Sequence, residues 1–229
     1  MKQTKIDWCD CTVNPVVGCK NGCEYCYAEK INERFKFIPC WREPQFFPER
    51  LKQLKSKKPK SVFMDSMSDI GWWEKSWCEK VYNYMIKNAQ HRYIFLTKCY
   101  NKIDYIYDLM CKGKYKVAFL GASVTSQEQL NYIQSLDNSR LDFLSIEPIM
   151  SELTFDSYCK SLENCKLFII GAETGNRKDK VIPKKEWVDN IVKQCDTNGI
   201  KVFMKESLRE IMGNDFRQDK LLWESDNGD

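Results

Sequence analysis

The chain reads as an α/β fold of β-α units around a parallel sheet, and three observations predict it. Short apolar runs rich in β-branched and aromatic residues recur along the sequence, longer segments with helical periodicity separate them, and the runs end in small clusters of polar residues. At 229 residues the chain is long enough for one domain with a sizeable core. A single domain over residues 1–229 is expected, because no Pro/Gly/Ser-rich linker, repeat or low-complexity segment interrupts the alternation.

Taken in order, an early strand is expected within residues 4–14, followed by strands at 61–66, 93–97, 117–123, 141–148, 167–173 and 201–204. Between them, residues 24–35, 48–56, 74–89, 101–112, 126–136, 151–162 and 184–199 place their apolar side chains mostly on one helical face, which predicts helices packed on the sheet. The strand ends carry Asp65, Ser66 and Ser68, then Thr97 and Lys98, Ser123, Glu147, Glu173, and Lys205 with Glu206. Loops at the carboxyl ends of parallel strands converge on one side of the sheet, so these residues are expected to face one pocket. A parallel strand must also simply stop in something polar, and for each residue alone that bland account stands beside the functional one.

Composition narrows the function classes. No stretch approaches the roughly 18 consecutive apolar residues of a membrane span, and the first ten residues carry charges and tryptophan with no apolar signal core, so a cytoplasmic protein is expected. The surplus of 36 basic over 32 acidic residues is too small to imply a polyanion partner by itself. A lysine-rich run from Lys52 to Lys60 reads as a solvated helix end or as a phosphate-binding patch.

A reducing compartment leaves twelve cysteines free as thiols and raises the weight of metal or redox chemistry. Nine of them, Cys9, Cys11, Cys40, Cys78, Cys99, Cys111, Cys159, Cys165 and Cys195, show no C-x2-C partnering and are read mostly as small hydrophobes. Cys19, Cys23 and Cys26 stand at C-x3-C-x2-C. Three thiolates can hold three irons of a [4Fe-4S] cube and leave the fourth open. A structural zinc site wants a fourth Cys or His, for which Cys9 and Cys11 are candidates. His91, the only histidine, reads as a surface or packing residue.

The C-x3-C-x2-C spacing, with Tyr25 immediately before the last cysteine and a strand before the loop, resembles that of the radical S-adenosylmethionine (SAM) superfamily. The stretches at 7–19, 23–30, 63–69, 95–98, 120–124, 144–148, 169–175 and 201–206 are similar to a small radical SAM family of phages and bacteria, and its queuine lyases carry the likeness furthest. Cys9, Cys11, Ala172 and Glu206 depart from the common pattern. The resemblance implies a partial (β/α)6 TIM-like barrel, a [4Fe-4S] cluster on Cys19, Cys23 and Cys26, and SAM on the open iron. It also implies a 5′-deoxyadenosyl radical, cleavage of a C–N bond of queuine to release 7-aminomethyl-7-deazaguanine, and an electron donor such as flavodoxin or ferredoxin.

Within that reading, Tyr25 packs near the adenine of SAM or serves the core, Ser66 and Ser68 take the amino side of the cofactor, and Ser123 the ribose. Glu147 and Lys98 are the catalytic candidates; a salt bridge between them is the structural alternative. Glu173, between two glycines, or Glu147 accepts the N–H and NH2 donors of a guanine-like edge, while Asn14, held extended before Pro15, and Lys205 contact substrate. Trp8, Trp72 and Trp73 are stacking platforms or packing residues. A competing expectation keeps the cofactor and changes the substrate to DNA or RNA, with Lys52 to Lys60 on the phosphates.

Overall fold

The computed structural model describes residues 4–111, 117–136, 140–155, 160–175 and 177–224. The chain divides into two compact units, Met1–Leu120 and Gly121–Asp229.

The first unit carries β1 (Cys11–Thr12), β2 (Val16–Val17), α1 (Tyr27–Phe35), β3 (Gln45–Phe46), β4 (Ser61–Phe63), α2 (Lys75–Lys87), β5 (Arg92–Thr97) and α3 (Ile103–Met110). It also holds the first residues of β6 (Ala118–Val124), the strand on which the units divide. The second unit continues with α4 (Gln127–Gln134), β7 (Phe143–Ile146), β8 (Leu167–Ile170), α5 (Lys185–Thr197), β9 (Lys201–Met204) and the short α6 (Arg209–Met212). Strands β1, β4, β5, β6, β7, β8 and β9 form one seven-stranded sheet in that order, with β1–β4, β4–β5, β6–β7, β7–β8 and β8–β9 paired in parallel. β2 and β3 form a separate antiparallel pair.

The residue pattern explains the elements. Every residue of β7 and β8 is buried, as expected for parallel strands covered on both faces. The helices bury single stripes: Cys78, Val81 and Met85 on α2, Ile103, Ile106 and Met110 on α3, and Val188, Ile191 and Cys195 on α5. α4 starts at a reciprocal cap. The Ser126 hydroxyl accepts from the Gln129 amide at 3.3 Å, and the Gln129 side chain accepts from the Thr125 amide at 2.8 Å. His91 is a packing residue: fully buried, it donates from Nε2 to the Leu54 carbonyl at 2.9 Å, and burial lowers its pKa.

The expected barrel is supported only in its coarser part, a mixed α/β fold with a parallel sheet; a TIM-like barrel is not established. Regular alternation breaks at two predicted helices. Residues 48–56 form a 3-10 helix, Pro48–Lys55, that buries Leu51 and Leu54 three residues apart. Of 151–162, residues 156–159, with Cys159, lie outside the described residues, and the described remainder holds only the 3-10 turn Lys160–Leu162. Among the described residues no helix is long and apolar enough to cross a membrane.

Gly121, inside β6, faces the Phe143 ring of β7, and a Cβ there would sit 2.5 Å from two ring carbons. Gly121→Ala is expected to cost about 1–3 kcal/mol by overpacking. The cost should shrink when Phe143→Leu is introduced beside it. Urea denaturation of the four proteins checks this; equal costs in both backgrounds would remove the ring as the cause.

Candidate functional site

The cysteine loop of the first unit is tied down on both sides. The Gly18 amide donates to the Met67 carbonyl at 2.9 Å, and the Cys19 amide to the Trp41 carbonyl at 2.9 Å. Gly18 has φ +109°, and a Cβ on it would meet Ile38, Pro44 and the Trp41 carbonyl at 2.9 Å, so only glycine fits where the loop crosses that segment. The loop ends in the N-cap of α1. There the Cys26 thiol accepts from the Glu29 amide at 3.4 Å, and the Cys19 thiol accepts from the Asn21 amide at 3.5 Å. Burial pushes the Cys19 thiol up to about 12 and raises Cys26 as well.

Asn21, inside the loop, links it to the ends of β4 and β5. Its amide nitrogen donates to Asp69 Oδ2 at 2.6 Å, and its oxygen accepts from Trp72 Nε1 at 2.6 Å. Asp69 also accepts from the Gly71 amide, the Thr97 hydroxyl and the Lys98 amide, each at 2.8 Å. Four donors thus converge on one buried carboxylate. Gly71 is required for this turn to close, because a Cβ would lie 2.4 Å from Cys99 Cβ. Asp65 is fully buried beside this carboxylate. It accepts from the Ile70 amide at 3.2 Å and from the Leu96 amide at 3.2 and 3.3 Å. Burial first, and the charge of Asp69 second, hold its pKa well above the usual carboxylate range.

The residues expected at a cofactor, at substrate or in catalysis make local contacts around this loop. Asn14 Oδ1 accepts from the Ser66 hydroxyl and the Met67 amide, both at 3.0 Å. The Ser68 hydroxyl accepts from Trp73 Nε1 at 3.0 Å. Lys98 places its ammonium 5.8 Å from the Tyr25 ring centre. Trp8 and Trp73 are packed in the core, Trp8 against Phe63 and Trp73 edge-on to Phe95, while Trp72 is half-buried. Lys52, Lys55, Lys57 and Lys58 point to solvent from the 3-10 helix and the segment after it.

The second unit gathers its charges at the ends of β7, β8 and β9. Glu147 follows β7 and Lys205 follows β9, and their side chains form an ion pair that is about three-quarters buried or more on either partner. The intervening strand β8 is followed by Gly171, where a Cβ would approach Lys205 Cδ to 3.0 Å, so the missing side chain clears the path of the lysine. Two residues on, Glu173 is held by a bidentate Arg177 fork at 2.7 and 2.8 Å, with only 5% of its side chain exposed. The Ala172 amide donates to the Ser207 hydroxyl at 3.0 Å. Ser123 lies half-buried near the end of β6. Glu206 pairs with Arg209 on the surface.

Three expected roles change. Among the described residues no group of three or more His, Cys, Asp or Glu side chains is arranged to hold a metal ion. The [4Fe-4S] cluster on Cys19, Cys23 and Cys26 is therefore corrected, and so is a zinc site completed by Cys9 and Cys11. Burial raises the Cys19, Cys26 and Cys9 thiols, which disfavours the thiolate that a metal binds, although the backbone N–H bonds at these sulfurs act the other way. SAM falls with the open iron that was to hold it, and Tyr25, Ser66, Ser68 and Ser123 lose that assignment. Sequence reasoning missed Asn21, Asp69 and Arg177. Asp69 had a visible signal, standing four residues after Asp65; Asn21 and Arg177 had none.

The chain matches, over residues 3–215, the family described as "Protein of unknown function (DUF5131)", and it belongs to that family. No curated protein and no solved structure matches it. The likeness to the radical SAM superfamily, to its small phage and bacterial family and to queuine lyases is corrected accordingly, since the family matched is described only as one of unknown function.

Two outcomes follow from the buried carboxyls. A folded-state pKa raised above the unfolded one means that Asp65 takes up a proton on folding, so its contribution to stability falls as pH rises above the ordinary carboxyl range towards its folded pKa. Asp65→Asn should flatten that fall in a series of urea midpoints from pH 4 to pH 8; an unchanged slope would assign it elsewhere. Arg177→Met should destabilise by roughly 2 kcal/mol or more by stranding Glu173, and adding Glu173→Gln should restore part of the loss. Denaturation of the single and double variants measures both.

Proposed function

We propose that this DUF5131 chain is an enzyme acting on a small nitrogen heterocycle with a guanine-like edge, 7-deazaguanines included, and that Glu147 and Lys205 read that edge. The observation that carries the reading is the Glu147–Lys205 pair across the glycine that follows β8. It sets an anionic acceptor beside a cationic donor at the carboxyl ends of parallel strands, where α/β folds commonly assemble their sites. A guanine-like edge offers two adjacent N–H donors next to a carbonyl. The carboxylate matches the two donors, and the ammonium matches the carbonyl.

Partial burial supports specificity. A heterocycle without the paired donors would leave the carboxylate desolvated and unmatched, which a charged group opposes strongly. Glu173 is the weaker candidate for the same role, because the Arg177 fork already takes both of its oxygens.

Calorimetry with 7-aminomethyl-7-deazaguanine and with 7-deazaadenine tests the reading. The first compound is expected to bind and the second to bind much more weakly. Glu147→Gln should weaken the first by about 2–3 kcal/mol, the range for a hydrogen bond to a charged partner. Equal affinity for both heterocycles, or an unchanged affinity in Glu147→Gln, sinks the proposal.

A further inference from the structure

We infer that Arg50 anchors a carboxylate-bearing small molecule, taken by the Nε–Nη2 edge of its guanidinium beside the carboxyl end of β1. The site lies within the first unit, so the inference is independent of the base-reading proposal, which concerns the second.

The arginine stands on the 3-10 helix Pro48–Lys55, and the segment after β1 fixes it. The Phe47 amide donates to the Pro15 carbonyl at 2.7 Å, and Arg50 Nη1 donates to the Asn14 carbonyl at 2.9 Å. The guanidinium carbon lies 4.3 Å from the centre of the Phe47 ring, which packs against the buried cluster that includes Trp41 and Met67. Asn14 is held in turn, because its side-chain oxygen accepts from the Ser66 hydroxyl and the Met67 amide. Asn14 lies just past β1 and Ser66 just past β4, its parallel neighbour, and α/β folds commonly assemble their sites at such strand ends.

The bond to Asn14 alone would make Arg50 a strut, but it uses only one corner of the group. A guanidinium presents a rigid fork of N–H donors, and Nε and Nη2 have no acceptor among the described residues. Neither atom is among the buried polar atoms left without a partner, so both reach solvent. No ion pair joins Arg50 to an acidic side chain among the described residues. The charge acting on it is that of Glu49, which is exposed to water and leaves the fork open. Burial lowers the pKa of Arg50, because a half-buried cation has lost part of its hydration. An anion on the open edge offsets that loss.

The geometry selects the anion. The Nε–Nη2 edge offers two parallel N–H bonds, which meet the two coplanar oxygens of a carboxylate while Nη1 stays on Asn14. No second cation acts on the group, so a single negative charge is matched and a phosphate dianion would keep one charge uncompensated.

The probe is propionate, titrated at constant ionic strength into the isotopically labelled full chain, with the arginine Nε–Hε resonances followed by NMR. The Arg50 resonance is expected to shift saturably, at concentrations about tenfold or more below those that move Arg34, an exposed arginine on α1. Arg50→Lys keeps a donor for the Asn14 carbonyl and removes the fork. It should leave the urea midpoint near that of the unsubstituted chain and abolish the saturable shift of the Phe47 amide. If that variant does not fold, the comparison of Arg50 with Arg34 in the unsubstituted chain decides. The proposal is overturned by a shift that does not saturate, by equal sensitivity at Arg34, by retained binding in folded Arg50→Lys, or by inorganic phosphate binding more tightly than propionate.

Discussion

A parallel strand covered on both faces can expose chemistry only at its ends, and the rest of this structure depends on that constraint. In β7 and β8 every side chain is spent on the core, including Ser145, which is 1% exposed. The first residues free to be charged are those just past the last ladder hydrogen bonds: Glu147 after β7, Gly171 and then Glu173 after β8, and Lys205 after β9. Parallel register places these ends side by side, so residues 58 positions apart in sequence become an ion pair. Local folding does not place them; the ladder does.

The first unit meets the same constraint with a shared acceptor. Asp69 collects donors from the cysteine loop, from its own turn and from the end of β5, so one carboxylate fixes three pieces of chain. That arrangement bears on its neighbour. Deep burial first, and the charge of Asp69 second, raise the pKa of Asp65 well above the usual carboxylate range, against the two amides that donate to it. The network is polar but closed, which makes it a rigid frame on which Trp72 is held.

The parallel strands were legible in position but not in their ends: 61–66, 141–148 and 167–173 shorten to Ser61–Phe63, Phe143–Ile146 and Leu167–Ile170, and the β2–β3 pair was not expected, because apolar runs continue past the last ladder hydrogen bonds. Residues 48–56 were legible as helical but not as 3-10, since Leu51 and Leu54 satisfy either period over so short a span. The strand-end residues were legible as a set, and their partners were not: Glu147 found Lys205 and Glu173 found Arg177 through geometry that no sequence spacing encodes. The three thiols show the opposite error. Spacing specifies closeness along the chain, whereas coordination needs side chains arranged around one point, and among the described residues no such group forms, while Cys26 caps α1 by accepting from the Glu29 amide.

The two strand-end carboxylates of the second unit are not equivalent, and the difference lies in their partners. Arg177 presents a planar fork that meets both oxygens of Glu173, so a ligand would have to share each oxygen with a directed bond already in place. Lys205 meets one oxygen of Glu147, Oε1, as a point charge on a flexible stem that passes over Gly171. A ligand can add to that pair by taking the remaining carboxylate positions and sharing the ammonium, with no buried charge left alone. The arginine therefore assigns Glu173 to holding the loop after β8, and the lysine leaves Glu147 able to bind.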